Sequence, residues 1–295
     1  MTSGSDSDWI LLVDGQASPQ HIHEEHDIAR QLEALNLKRP GRSGVFGRMI
    51  GSHDLVHEIG GEDDTNSNTT RRVLLLLESL PFGNREAWDR VRRQVLHRYL
   101  LDDRGLLFSS GAHKVPRFLL NDLTRYWLTV TVDFVYKQRS EGGHKWALRN
   151  TKLRISRKLV FASGLLRCFF CDLDEEAALA RDALRESHDA TRLVAYMEEQ
   201  MEFTPLDLLA RAAMRPAVDP SVGRKLFGSY DRFLAILDDP QKRSELEMMT
   251  QEHMSESRVW SETREFSRDF HTALIALFFG DDPEMRALSE EYGVF

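Results

Sequence analysis

Apolar positions along this chain change their spacing near residue 84. Before that point, an apolar run at residues 10–13 predicts a β-strand, and Ser18-Pro19 predicts the start of a helix. Residues 46–59 predict a second strand region, and residues 74–79 lie in a further predicted helix. The N-terminal part therefore reads as a small unit that mixes strands and helices.

From residue 84 onward the apolar spacing is almost wholly helical. Helices are predicted at 84–101, near 117–137 and at 145–172. Three later pairs of a capping residue and a proline predict helix starts: Thr204-Pro205, Asp219-Pro220 and Asp239-Pro240. The predicted fold class is α+β, a small α/β unit followed by a mainly α-helical bundle.

Composition narrows the class of protein. The 295 residues are 41% hydrophobic and 29% charged, as is typical of a globular protein. The net charge of −8 argues against a general nucleic-acid binder, so an anion site must be a local basic patch. No apolar run approaches the roughly 20 residues that span a bilayer, and no secretory signal is recognisable. With only Cys168 and Cys171, a cytoplasmic protein is expected, and no membrane partner.

Two aspartates precede the first predicted strand. Asp6 and Asp8 are separated by one residue, so in an extended segment their side chains point to the same side. Two convergent carboxylates are typical ligands of Mg²⁺ that also holds a nucleotide's phosphates. The alternative is a polar turn whose acids are solvated.

A second acidic segment follows the predicted strand region. Asp54, Asp63 and Asp64 are candidates for a third carboxylate beside a metal. The alternative is an exposed acidic loop at the start of the next helix, where the helix dipole favours acids. His53 and His57 would suit zinc only on a helix, and we do not expect a zinc site.

One stretch of the chain is strongly basic. Residues 137–158 contain eight lysines or arginines and one acid. Lys145, Arg149 and Lys152 share one face of the predicted helix, where arginine forks can bind a polyphosphate. A solvated basic face is the alternative interpretation.

Polar residues also interrupt the predicted helix near 117–137. Asn121, Asp122, Arg125 and Tyr126 lie close together on it, with Trp127 next in sequence. They could contact the base or ribose of a nucleotide. An ion-pair and aromatic cluster between parts of the fold is the alternative.

Two further patterns carry weaker chemistry. Cys168 and Cys171 have a C-x-x-C spacing, but they lie late in a predicted helix and favour buried thiols over a redox site. Arg92 and His97 have a spacing found in some helical ribonucleases, which makes a nuclease one alternative function.

Taken together, these segments resemble the DNA polymerase β-type nucleotidyltransferase superfamily. Within it they are similar to bacterial proteins akin to the uridylyltransferase of the PII nitrogen regulator. The similarity covers roughly residues 3–170, from the segment around Asp6 and Asp8 to the basic segment. The Gly-Ser element that precedes the aspartates in that family has no counterpart here. We therefore expect a chain that begins inside a longer protein, and a degraded paralogue is the alternative.

The resemblance implies three parts: a partial nucleotidyltransferase domain at 1–82, a helical nucleotide- or substrate-binding domain at 83–175, and a C-terminal helical region at 176–295. It implies Mg²⁺- or Mn²⁺-dependent transfer of a nucleoside monophosphate from an NTP to an unknown acceptor, a protein or a small molecule. Activity of the chain as it stands is left open, and nucleic acid is not an expected partner.

The same resemblance suggests roles for single residues. The expected catalytic residues are Asp6, Asp8 and Asp64, and the expected metal ligands are Asp6, Asp8 and Asp63. The expected nucleotide-binding residues are Ser5, Asn121, Arg125, Lys145, Arg149 and Lys152. The main alternative is a non-catalytic helical regulatory or interaction protein with a vestigial nucleotide site.

Overall fold

The computed structural model describes residues 7–41, 44–108, 113–140, 142–143, 145–250 and 254–293. This part of the chain is mainly helical and contains one two-stranded parallel sheet. The mainly helical character predicted from the sequence is confirmed. The first half contains β1 (Ile10–Val13), α1 (Pro19–Ala34), β2 (Arg48–Gly51), α2 (Ser52–Val56), α3 (Asn66–Leu77), α4 (Arg85–Leu101), α5 (Arg104–Leu107) and α6 (Arg117–Ser140).

Among the described residues of the second half, all regular secondary structure is helical, and short turns connect the helices. It contains α7 (Trp146–Lys152), a π turn (Leu153–Arg157), α8 (Lys158–Leu173), α9 (Glu175–Ser187), α10 (Thr191–Glu202), α11 (Pro205–Ala213), α12 (Pro220–Asp238), α13 (Pro240–Met248), α14 (Arg258–Phe279) and α15 (Pro283–Tyr292).

The N-terminal strands pair in parallel, with Ile10 opposite Arg48 and Val13 opposite Gly51. The prediction of a strand region over 46–59 is correct only for its first part, because the strand ends at Gly51 and α2 follows directly. Leu55 and Val56 are buried where α2 packs on α3 and α4. A short apolar run is compatible with either a strand or a helix, and here packing against the neighbouring helices favours the helix.

Local capping chemistry accounts for the later helix starts. The Thr204 hydroxyl accepts a hydrogen bond from the Asp207 N–H, and the Asp207 carboxylate accepts one from the Thr204 N–H. Asp219 and Asp239 accept in the same way from the first backbone N–H groups of α12 and α13. Each cap is followed by a proline that suits the first helical turn. All three predicted helix starts are confirmed.

The core is one hydrophobic cluster that extends from Ile50 to Tyr292. Helix α8 lies at its centre, and its residues 159–171 are all buried. Helices α3, α4 and α6 pack together on one side, while α12 and α14 pack against each other on the other. Within the described ranges, no helix combines the length and the apolar character that a membrane crossing needs.

The predicted helix at 145–172 is interrupted by the π turn. Ser156 Oγ within the turn donates a hydrogen bond to the Lys152 carbonyl. A π turn is wider than an α-helical turn and often occurs at a functional site. It also changes the directions in which the arginines of the basic segment point.

Candidate functional site

The predicted metal-binding aspartates start the description of the site. Ser5 and Asp6 lie outside the described residues. Asp8 is exposed and lies two residues before β1. Its carboxylate acts electrostatically on Arg157 and Tyr126, which places it against the π turn and α6. Strand β1 thus presents Asp8 to the helical part of the molecule.

Four side chains from separate parts of the chain meet here, and we call them the Glu78 cluster: Asp8, Glu78, Tyr126 and Arg157. Glu78 is the C-cap residue of α3, Tyr126 lies within α6, and Arg157 is the last residue of the π turn. Burial by itself would lower the pKa of Arg157, but Tyr126, Glu78 and Asp8 raise it overall. Arg157 is thus the cation that these groups share.

Glu78 is an unusual carboxylate for its position. Its side chain reaches solvent, yet burial among protein atoms raises its pKa, while Arg157 and Arg167 oppose that rise. An acid at a helix C-terminus also faces the negative end of the helix dipole. A carboxyl with a raised pKa accepts a proton more readily than an ordinary glutamate does.

Tyr126 adds a buried hydroxyl next to Arg157. Its side chain is fully buried, at 0% exposure, and burial raises its pKa. The Arg157 guanidinium interacts with the hydroxyl and opposes part of that rise. Tyr126 thus links α6 to the π turn.

Arg167 lies next to the cluster in the middle of α8. It is completely buried, and it donates hydrogen bonds only to Ser163 Oγ at 3.1 Å and to the Phe203 carbonyl at 2.7 Å. No carboxylate of the described residues lies within ion-pair distance of it, and its Nε has no partner. Burial lowers the pKa of Arg167 to about 10, a shift that Arg92 reinforces and Cys168 and Glu78 oppose.

A buried cation without a partner carboxylate is costly unless something compensates its charge. Arg157 and Arg167 both act electrostatically on Glu78, and Asp8 acts on Arg157, so two guanidiniums and two carboxylates interact here. Neither carboxylate forms an ion pair with Arg167, whose Nε has no partner among the described residues. Strongly perturbed groups of this kind are candidates for a functional site.

Asp64 belongs to a different group, which we call the Arg72 network: Asp64, Arg72, Tyr99, Asp122 and Arg125. Arg72 Nη2 lies 2.9 Å from Asp64 Oδ2 and 2.5 Å from Asp122 Oδ2. Arg125 Nη1 lies 2.9 Å from Asp64 Oδ2, and Tyr99 donates its hydroxyl proton to Asp122 at 2.7 Å. The network ties the loop before α3 to α3, α4 and α6.

The Arg72 network leaves Asp64 no free oxygen for a metal. Burial would raise the pKa of Asp64, but hydrogen bonds from Arg72, the Gly60 N–H and Arg125 lower it overall. Its side chain is 1% exposed, and its carboxylate is occupied by two guanidiniums. As placed here, Asp64 holds the fold together, while its neighbour Asp63 is exposed in a turn.

The expected nucleotide-binding residues are not brought to one place. Arg125 serves the Arg72 network, and Asn121 is exposed on α6. Lys145 has a left-handed backbone, with φ of 58°, and its Nζ lies 3.9 Å from Glu247 of α13. Arg149 and Lys152 lie half-buried on α7. Arg125 and Lys145 thus have carboxylate partners of their own within the fold.

The remaining sequence patterns have structural roles in this fold. Cys168 and Cys171 are free and buried, and burial raises the pKa of both thiols. Arg92 lies 3.9 Å from the centre of the Trp88 ring and 3.0 Å from Glu202. His53 and His57 have ring centres 4.9 Å apart on and just after α2.

The implied Mg²⁺ can be compared with the donors that are present. In the part of the chain that the structure describes, no group of three or more His, Cys, Asp or Glu side chains is arranged to hold a metal ion. Asp8 is an exposed carboxylate and fits as a ligand, whereas Asp64 does not. Glu78 is the second carboxylate that acts on the same guanidinium as Asp8.

Sequence reasoning missed Glu78 and Arg167, although both left a signal. Glu78 ends an apolar helix with a negative charge, where the helix dipole disfavours it. Arg167 is the single charged residue between positions 159 and 171 of an apolar helix. Comparisons with protein-family models, with curated proteins and with solved structures found no match to this chain. The chemistry of the site is therefore argued from its own residues.

Proposed function

We propose that this chain is a nucleotidyltransferase-like protein that binds an NTP at the Glu78 cluster. The reaction would transfer the nucleoside monophosphate to a hydroxyl of a protein or small-molecule acceptor and release pyrophosphate. The observation that supports it is the electrostatic interaction of Asp8, two residues before β1, with Arg157 of the π turn. This interaction connects the acidic and the basic segments on which the resemblance rests.

The roles follow from charge. Asp8, with Asp6 before it, would hold Mg²⁺ or Mn²⁺, which when bound would neutralise the triphosphate and lower the pKa of the attacking hydroxyl. Arg157 would bind phosphate oxygens, and the fully buried Arg167 would act on them only through its positive charge. In such transfers a protein acts mainly by positioning groups and neutralising charge.

Glu78 replaces Asp64 as the proposed third carboxylate. Its raised pKa suits a group that accepts the proton of the acceptor hydroxyl. The buried Tyr126 hydroxyl would hold the Arg157 guanidinium in position. Both assignments rest on their proximity to Arg157.

Thermal unfolding with Mg²⁺ and each of the four NTPs tests the proposal. A ligand that binds only the folded state raises the melting temperature by mass action. We expect one NTP to raise it in the wild type and not in Asp8→Asn. The matched control is Asp281→Asn, which removes an exposed carboxylate before α15. Equal shifts in all three proteins would overturn the assignment of Asp8.

Transfer itself is tested with an NTP labelled at its α-phosphate and candidate acceptors.

The second candidate function, a non-catalytic interaction protein, is favoured by an exposed apolar stripe on α6. Its members share one helical face: Leu128, Val132, Val135 and Tyr136. Nucleotide binding without label transfer to any acceptor would favour this second function.

A further inference from the structure

A second basic region lies on the other side of the π turn. A groove with a volume of about 680 Å³ opens between the π turn, the start of α8 and the middle of α14. This size is typical of sites for one small molecule. We call it the basic groove, and its lining residues are Arg154, Lys158, Ser261, Arg264, Glu265, Ser267, Arg268 and His271.

The basic groove has an excess of positive charge. Arg154, Lys158, Arg264 and Arg268 form no ion pair with any carboxylate of the described residues. Glu265 is the one acid in the lining, and its Oε1 lies 3.2 Å from Arg232 Nη1 of α12. Arg232, which lies outside the groove lining, thus compensates the charge of Glu265. The four cations of the groove have no carboxylate partner among the described residues.

We propose that the basic groove binds a small molecule that carries two or more linked phosphates. Three arginines supply planar donors that match phosphate oxygens, and Lys158 adds a point charge. A single phosphate would leave most of these cations uncompensated. The groove has room for one small ligand, and the net charge of −8 on the whole chain disfavours a long nucleic acid.

Two neutral groups complete the groove. Ser267 is 3% exposed, and its hydroxyl has no hydrogen-bond partner among the described residues. His271 Nδ1 lies 3.4 Å from Lys158 Nζ. A phosphate oxygen would satisfy the serine hydroxyl and would accept a hydrogen bond from the imidazole or from Lys158. The buried hydroxyl is the observation that points to a ligand rather than to a merely solvated surface.

The π turn separates this groove from the Glu78 cluster. Arg154 and Lys158 are four residues apart and line the groove together, whereas Arg157 between them reaches Glu78 and Tyr126. In the wider turn each residue advances by a smaller angle around the helix axis than in an α-helix, which changes the direction of Arg157 relative to Arg154. The groove is therefore a separate site, and its proposal does not depend on nucleotidyl transfer.

Calorimetric titration with sodium tripolyphosphate, pyrophosphate and inorganic phosphate, in the presence of EDTA, tests the groove. We expect tripolyphosphate and pyrophosphate to bind more tightly than phosphate. The double variant R264Q/R268Q should lose about tenfold or more in affinity for tripolyphosphate, because two charge-assisted contacts are removed. Both residues are exposed, so the variant should fold, which circular dichroism checks.

The matched control is Arg258→Gln, which removes one exposed cation at the start of the same helix. Its affinity for tripolyphosphate should equal that of the wild type. An equal loss in R258Q and R264Q/R268Q would mean that only the general charge matters and would overturn the groove. Undiminished binding by R264Q/R268Q would overturn it as well.

Two further measurements separate this site from other phosphate sites. Arg157→Gln removes the phosphate-binding cation proposed at the Glu78 cluster, so its loss of affinity for tripolyphosphate should be smaller than that of R264Q/R268Q, and an equally large loss would place the phosphates at the Glu78 cluster instead. A titration with ATP in EDTA shows whether a nucleoside adds affinity. Tighter binding of a single-stranded oligonucleotide than of tripolyphosphate, through the same arginines, would overturn a small-molecule site.

Ser267→Ala distinguishes a ligand-binding role of this serine from a purely structural role. The variant should unfold at the same temperature as the wild type or above it, because a buried unpaired hydroxyl is removed. Its affinity for tripolyphosphate should fall severalfold, because one hydrogen bond to the ligand is lost. Loss of stability with unchanged affinity would remove Ser267 from the site.

Discussion

Two groups of charged side chains in this protein differ in how completely their charges are paired. In the Arg72 network, Arg72 faces both Asp64 and Asp122 at hydrogen-bond distance, and a tyrosine hydroxyl completes the set. At the Glu78 cluster, Arg157 and Arg167 both act on Glu78, and the Nε of the buried Arg167 has no partner among the described residues. A satisfied network stabilises a fold, whereas an unsatisfied one is a place for a ligand.

The comparison makes opposite predictions for removing one charge from each group. In the Arg72 network, Asp64→Asn leaves Arg72 and Arg125 less compensated in a buried site. We expect a loss of about 3–5 kcal/mol in the free energy of unfolding, measured by urea denaturation. Asp63→Asn, the exposed neighbour, is the control and should stay within about 0.5 kcal/mol of wild type.

The pH dependence of Asp64 has a definite sign. Because hydrogen bonds hold its folded-state pKa below the ordinary value, its contribution is present above the pKa of the unfolded carboxyl. That contribution is lost as the pH falls through the lower folded-state pKa. The stability gap between wild type and D64N should therefore shrink on acidification, and a constant gap would contradict the ion-pair role.

Arg167→Met removes the buried cation that lacks a carboxylate. We expect its free energy of unfolding to stay within about 1 kcal/mol of wild type, because removing a desolvated charge offsets two lost hydrogen bonds. Magnesium-dependent NTP binding should nevertheless be lost. The control is Arg181→Met, which removes a buried arginine that lies 2.5 Å from Asp172 and should destabilise more. A larger cost for R167M than for R181M would break the comparison.

Glu78→Gln tests the comparison through the pH dependence of the free energy of unfolding. Burial raises the folded-state pKa of Glu78 above its usual 4.5, so the folded protein binds more protons there than the unfolded chain does. Stability from this group is complete below the unfolded pKa and declines as the pH rises through the folded-state pKa. We expect E78Q to gain stability relative to wild type between about pH 4 and pH 7.

The control for this prediction is Glu86→Gln, an exposed acid in the first turn of α4. Its difference from wild type should not change across the same pH range. If E78Q also showed no change with pH, Glu78 would be an ordinary solvated acid and no candidate for proton transfer.

The smallest expected effect concerns His271 in the basic groove. Burial, Lys158 and Arg154 lower its pKa, and Arg264, Glu265 and Arg268 line the same groove. A bound polyphosphate would favour the protonated ring, so tripolyphosphate should bind a few-fold more tightly as the pH falls from about 8 to 6. The His271→Gln variant should lose this gain, and a gain of the same size in the variant would assign it to another group.

Sequence reasoning succeeded where the cause of a structure is local. The helix starts at Thr204, Asp219 and Asp239 depend on a cap and a proline that adjoin each other, and all three were predicted. The strand predicted over 46–59 was wrong from Ser52 onward, because the burial of Leu55 and Val56 depends on helices from later in the chain.

The candidate site was harder to predict because its partners are distant in sequence. Asp64 and Asp63 look alike in an acidic run, and only the pairing of Asp64 with Arg125, 61 residues away, makes one of them structural. Arg157 was recognised as part of a basic segment. Its separation from Arg154 depends on the π turn, which no residue pattern in the sequence predicted.

Two arginines of the π turn therefore provide the most direct test of the central claim. Arg157→Gln and Arg154→Gln remove the same charge three residues apart, one at the Glu78 cluster and one in the basic groove. The measurement is the magnesium-dependent component of NTP binding, taken as the difference between calorimetric titrations with Mg²⁺ and with EDTA. We predict that R157Q loses this component and that R154Q keeps it. Equal behaviour of the two variants, or its retention by R157Q, would contradict a nucleotide site at the Glu78 cluster.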